Sequence, residues 1–241
     1  MITSKDGKQL IDPDEINISF ADYYENLYKS ECPHGVDDRN RYLDRLNFPI
    51  ITEEARLNLE EKLTIEELLQ ALMYMNCGRA PGPDGLPVEI YKKFSAKLLP
   101  NLLEVFNKSY QEGILPPTLR AATISLLLKP NKSPSERTSY RPIPLMSCDT
   151  KILCEALSKR METLLPSIIN NDQNGFVLNR QAFHNTRRLL NVLFAKGNAK
   201  GHAILSLDAE KAFDRIEWGY LFDVLKRFRE NYYIQNQWQK F

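Results

Sequence analysis

The 241-residue sequence contains no apolar run approaching the roughly 18 residues a membrane-spanning helix requires, so no such span is expected. Its opening stretch, MITSKDGKQLIDPDE, lacks the basic-then-apolar layout of a secretory leader. Cysteine and histidine are scarce. Cys32, Cys77, Cys148 and Cys154, with His34, His184 and His202, form neither a CxxC pair nor a zinc-type cluster. A disulfide scaffold is therefore set aside, and the thiols read as reduced, mostly structural groups of an intracellular protein. No internal repeat or low-complexity tract is visible. No charge of one sign dominates, since the net is only +1. What is present is ordinary for a globular chain, 43% apolar and 26% charged residues, long enough for one large domain or two small ones.

The small net charge hides a gradient. Residues 1–60 carry 7 Lys and Arg against 13 Asp and Glu, a net of −6, whereas residues 120–160 carry 8 against 3, a net of +5. A basic middle segment suits a polyanion such as nucleic acid or a triphosphate, although a basic solvated surface looks the same by charge alone.

Hydrophobic spacing predicts an amphipathic helix over 14–29, with Ile16, Phe20, Tyr23 and Leu27 on one stripe. Residues 30–51 show no period and read as a linker. Thr52 is placed to cap a short helix, and Thr64 to Glu67 forms a capping box before Leu68, Leu69, Leu72 and Met75, with Gly78 as the stop. APGPDG at 80–85 is a dense turn signal, and Pro87 suits a first helical position. A further helix carries Leu99, Leu102, Leu103, Phe106 and Tyr110 up to Gly113. The run AATISLLL at 121–128 reads as a buried strand, and a polar loop from 129 to 139 follows it. Helices are expected over 149–165, 182–196 and 216–228, and the tail after them has little periodicity. The run AILSL at 203–207 stops abruptly at Asp208 and reads as a second buried strand with an acid at its mouth. Many helices with a few strands make a mixed α/β (α+β) fold.

SLDAEKAFDRIEW, at 206–218, is the sharpest chemical feature. A carboxylate ending a buried strand is held rigidly beside solvent, as a metal ligand must be. Taken alone, the segment favours Asp208 as a cap of the element after the strand, and Asp214 and Arg215 as surface charges. Four further segments extend the pattern: APGPDG at 80–85, LLLKP at 126–130, SYRPIPL at 139–145 and DQNGFVLNRQ at 172–181. In this order and spacing, the five segments resemble the reverse transcriptase of LINE-type (non-LTR) retrotransposons over roughly residues 5–229.

The resemblance implies the helix-rich fingers and an incomplete palm of a right-hand polymerase. Residues 1–60 would be an acidic helical linker region preceding the polymerase, 61–200 fingers-like, and 201–241 the start of the palm. It implies an RNA-directed DNA polymerase, a nucleotidyltransferase that uses an RNA template, a DNA primer, deoxynucleotides and two Mg²⁺ ions about 3.5–4 Å apart. By the same resemblance Asp208 is the first catalytic aspartate, and the Ala209 carbonyl a second ligand of its metal. Phe213 lies under the sugar of the incoming deoxynucleotide, where its ring excludes a 2′-hydroxyl. Lys129 and Arg141 hold the triphosphate, the guanidinium being able to bind two oxygens at once. Arg180 lies near template or primer backbone. Asp84 reads as a structural turn residue.

Some positions depart from the family pattern: LLLKP stands where IPKP is usual, Pro144 removes a backbone donor after YRPI, and Val177, Leu178 and Asn179 interrupt the GF-GR segment. Downstream of Asp214 only Glu217, Asp223 and Glu230 are acidic, and no Gly-rich segment or ADD box follows. The expectation is thus a truncated polymerase that does not extend DNA alone, since one carboxylate does not hold two Mg²⁺ ions against their repulsion. Two other readings stay open, a non-catalytic nucleic-acid-binding module on residues 120–181 and a relic without a selected role. Nucleus and cytoplasm are not distinguished, and no basic run of five to eight residues marks nuclear import.

Overall fold

The computed structural model describes residues 1–31, 35–195, 203–209 and 211–228. A short antiparallel pair, β1 (Ile2–Thr3) and β2 (Gln9–Leu10), opens the chain. In α1 (Pro13–Tyr28), the Asp12 carboxylate accepts from the amides of Asp14 and Glu15 at 2.9 and 3.1 Å. Pro13 costs nothing at the first position, where its missing amide would have had no intrahelical partner.

α2 (Val36–Leu43) lies inside the stretch expected to be a linker. Five residues of its sequence, VDDRNRYL, are charged or polar, and Val36, Tyr42 and Leu43 are too few to announce an apolar stripe. What holds it is tertiary, through ion pairs to a helix near the other end of the chain. α3 (Glu53–Glu60) starts where expected, the Thr52 hydroxyl accepting from the Ala55 amide at 3.3 Å.

The capping box of α4 (Ile65–Tyr74) is formed: Thr64 Oγ1 accepts from the Glu67 amide at 3.2 Å, and the Glu67 carboxylate from the Thr64 amide at 2.9 Å. α4 stops at Tyr74 and does not run to Gly78. Lys92 Nζ donates to the carbonyls of Met73 and Met75 at 3.2 and 2.6 Å, which satisfies the last turn early. α5 (Val88–Lys93) begins one residue later than expected, with Pro87 as its cap. α6 (Ser95–Glu112) ends at Gly113 in the left-handed region, φ 73°, and α7 (Pro117–Arg120) follows.

These helices pack with α8 (Cys148–Ile168) around one core, in which Leu68, Leu72, Leu99, Phe106 and Ile152 are fully enclosed. Burying each such side chain contributes about 1.5–3 kcal/mol as an upper figure. A smaller cluster joins Leu59 of α3 to Leu164 and Ile168 of α8.

β3 (Ala122–Leu128) and β4 (Tyr140–Met146) form an antiparallel hairpin, with Ala122 opposite Met146 and Leu128 opposite Tyr140. β3 was expected to be buried and is not; most of its residues are exposed. A short apolar run has no period that tells a central strand from an arm of a ribbon, and here only one face of the ribbon is covered. α9 (Phe183–Phe194) has no buried residue despite its apolar stripe, and α10 (Trp218–Arg227) closes the described chain.

The second expected strand, 203–207, is corrected outright. Residues 203–209 adopt no regular structure, and Leu205 and Leu207 are 80% and 83% exposed. A two-sided apolar strand needs neighbours, and no strand among the described residues pairs with this one. The irregular tail expected after 228 lies outside the described residues.

Candidate nucleotide and nucleic-acid site

Side chains directly opposite each other in an antiparallel pair lie on the same face, and so do residues two apart along a strand. Arg141 is opposite Leu127, and the Lys129 amide extends the ladder to the Ser139 carbonyl at 2.8 Å. Lys129 and Arg141 therefore share one face of the hairpin. Ile124, Leu126, Tyr140 and Pro142 share the other, which α1 covers. The Phe20 ring meets Tyr140 edge-on with centroids 5.3 Å apart, and a cavity of about 300 Å³ separates Tyr24 and Phe20 from Ile124, Leu126 and Pro142. Arg141 is exposed. Lys129 Nζ donates to the Thr138 carbonyl at 2.9 Å, which leaves donors of the ammonium group for another acceptor.

The segment after Asp208 is tied to the same helix. Lys211 Nζ donates to the Tyr23 hydroxyl and lies 4.4 Å from the centre of that ring. The Tyr28 hydroxyl donates to Asp214 Oδ1 at 3.4 Å, and the Glu31 amide to Glu217 Oε1 at 3.1 Å. Burial pushes the Tyr24 hydroxyl up to about 12, with the neighbouring Tyr23, Tyr28 and Asp214 adding to it. α1 thus bridges the hairpin and the segment that carries Phe213. Sequence reasoning missed this role of Tyr24 and Tyr28. Their four-residue spacing was the available signal, but it points only to a shared helix face.

Between those ties Phe213 is 82% exposed, so packing does not occupy its ring. Asp208 and Ala209 are exposed as well. Arg180 is engaged by backbone carbonyls. Its Nη1 donates to the carbonyls of Asn170 and Gln173 at 2.6 and 2.9 Å, and Nη2 to those of Pro166 and Ile169, both at 2.9 Å. Its two Nη groups lock the carbonyl end of α8 to the loop after it.

The APGPDG turn is structural, as expected of Asp84, whose Oδ1 accepts from the Leu86 amide at 3.1 Å. Gly82 lies so close to β4 that a Cβ there would sit 2.4 Å from the Ser147 nitrogen. Beneath the turn, burial raises the Asp149 carboxyl, with the Tyr91 hydroxyl bond opposing and the Asp84 charge adding.

Hard divalent ions take about six oxygen ligands. Among the described residues no three Asp, Glu, His or Cys side chains converge on one point. Asp208 and the Ala209 carbonyl supply only part of such a shell, and these residues do not by themselves fit a two-ion centre. No helix among the described residues is long and apolar enough to cross a membrane. Cys77, Cys148 and Cys154 are free thiols.

The family described as reverse transcriptase (RNA-dependent DNA polymerase) matches residues 128–241. The transposon TX1 uncharacterized 149 kDa protein of Xenopus laevis is 34% identical over 226 residues, 93% of this chain and 17% of that protein. The RNA-directed DNA polymerase from mobile element jockey of Drosophila melanogaster is 27% identical over 177 residues, 71% of this chain and 19% of its own length. The probable RNA-directed DNA polymerase from transposon BS, also of Drosophila melanogaster, is 25% identical over 220 residues, 89% of this chain and 24% of its own. Helices packed beside a small hairpin sheet, together with these likenesses, define a reverse transcriptase region. The chain belongs to the non-LTR retrotransposon family of reverse transcriptases. It spans 17% to 24% of the length of the three relatives described.

Proposed function

We propose that the chain is a nucleotide- and strand-holding portion of an RNA-directed DNA polymerase, working with an RNA template, a DNA primer and deoxynucleotides. In this reading Lys129 and Arg141 hold the triphosphate, Phe213 meets the deoxyribose, Arg180 lies near the template or primer, and Asp208 with the Ala209 carbonyl supplies part of a Mg²⁺ shell. Residues 1–60, 61–200 and 201–241 correspond to a preceding helical region, a fingers-like region and the start of the palm. The first of these packs on the other two through α1.

One observation carries the reading. The two cations share the open face of a hairpin whose other face rests on α1, and α1 also clasps the segment bearing Phe213. The same 241 residues, acting alone, hold substrates without joining them, because too few carboxylates accompany Asp208. Purified chain with a primed RNA template, deoxynucleotides and Mg²⁺ tests both parts. No extension is expected. Lys129→Gln and Arg141→Gln should each weaken deoxynucleotide binding about tenfold or more, the scale of one charge-assisted hydrogen bond. Primer extension that Asp208→Ala abolishes would refute the incompleteness. Salt-sensitive RNA binding with no nucleotide affinity would replace this reading with the binding module.

A further inference from the structure

A cavity of about 450 Å³ lies between α8 and the loop joining α4 to the APGPDG turn. Asn76, Arg79, Lys151 and Ser158 line it with donors, and Glu155 is the lone acid among its lining residues. Arg79 is exposed and forms no ion pair among the described residues. Among the described residues the half-buried Lys151 forms no ion pair with a carboxylate, and its Nζ lies 3.4 Å from the Ala80 carbonyl. Two cations without carboxylate partners thus face one hollow.

The backbone that carries Arg79 is fixed on both sides. The Gly78 amide donates to the Glu89 carboxylate, and Lys92 holds the carbonyls of Met73 and Met75. Lys151 ties down Ala80, and Gly82 is pressed against the Met146–Ser147 backbone. A donor set on a fixed loop loses little freedom on binding, so more of its electrostatic attraction appears as affinity. No aromatic ring lines the hollow, so nothing there stacks a base. Met75, Ala80 and Val88 also line the hollow, and its charged and polar side chains fit an anion read by charge and hydrogen bonds.

We propose that Arg79 and Lys151 hold a phosphodiester group of a nucleic-acid strand, at a second contact remote in sequence from Lys129 and Arg141. This rests on the nucleic-acid reading above and adds a site to it. Contact with backbone phosphate is independent of sequence and weakens with salt, each neutralised phosphate on a single strand adding about 0.7 to the slope of log affinity against log salt.

The test is a salt titration of the purified 241-residue chain against single-stranded oligonucleotides of two unrelated sequences, with inorganic phosphate as a separate arm. Arg79→Gln and Lys151→Gln should each lower the slope, and the double variant should lower it by about 0.7, one phosphate in all, for both sequences. Glu155→Gln should tighten binding, an opposite sign that a misfolded variant would not produce. Lys108→Gln, on α6 and already paired with Glu112, is the charge control. The proposal is overturned if the control lowers the slope as much, if the slope is unmoved, or if the chain binds no oligonucleotide. Inorganic phosphate that binds as well as the strand, and is lost with the same variants, would overturn it in favour of a free-phosphate site. If Lys129→Gln weakens nucleotide binding while Arg79→Gln and Lys151→Gln change nothing, this inference fails and the polymerase reading survives.

Discussion

Arg160, on α8 and only 8% exposed, donates through Nε and Nη2 to the two oxygens of Glu67 at 2.6 and 2.8 Å and through Nη1 and Nη2 to the carbonyls of Glu61 and Lys62. One buried side chain thereby joins α8 to the start of α4 and to the loop before it. Burial by itself would raise the Glu67 carboxyl, but the hydrogen bonds from Arg160 and the Thr64 amide outweigh it, and the net shift is downward. A carboxyl lowered in the folded state contributes stability that is complete above its unfolded value, near pH 4.3, and is lost as pH falls through the folded value. Urea unfolding followed from pH 7 to pH 3 should show this loss, and Glu67→Gln should flatten it. Arg160→Met removes one partner of the buried pair and should cost about 3 kcal/mol at neutral pH, measured the same way. A cost near zero would mean that Glu67 finds water instead.

At the scale of elements, the turn between α4 and α5 is pressed against the junction of β4 and α8. A Cβ at Gly82 would meet the Ser147 nitrogen at 2.4 Å and the Met146 carbonyl carbon and oxygen at 2.5 and 2.6 Å. Those atoms are backbone and cannot swing aside, so Gly82→Ala should destabilise by about 1–3 kcal/mol. Chemical denaturation reads the loss, and an unchanged midpoint would show that the turn is free to move. α2 and α10 illustrate a second kind of element contact. Arg39 Nη2 pairs with Asp223 at 2.9 Å and Arg227 Nη1 with Asp44 at 2.6 Å, while Phe48 meets Phe228 edge-on at 5.1 Å. α2 is therefore held by two ion pairs and by the fully buried Leu43 at its end, with the ring contact just beyond both helices.

Over the whole molecule, apolar side chains are unevenly covered. The α4 to α8 core is dense, but Leu189, Leu190, Val192 and Phe194 of α9 are exposed, as are Ile204, Leu205 and Leu207. Exposed apolar rows favour association. Sedimentation velocity of the purified chain should show mass rising with concentration, and Leu190→Lys should reduce that rise. A monomer at all concentrations would contradict this.

How much was legible beforehand varies with the physics involved. Helices whose stability is local, with a cap and a stripe, could be read from their residues: the Thr64 and Glu67 box, Thr52, and the stripe through Leu99 and Phe106. Family membership was legible too, because five spaced segments are far more specific than any one of them. What composition and spacing leave open is the partner of a surface, since an apolar run reads the same whether covered or bare. Only the tertiary structure decided that β3 is an arm of a half-open hairpin, that 203–207 is bare, that α2 exists by pairing with α10, and that Arg180 closes a helix end. Those outcomes depend on residues brought together from distant parts of the chain, where contact energy, not local propensity, selects the conformation.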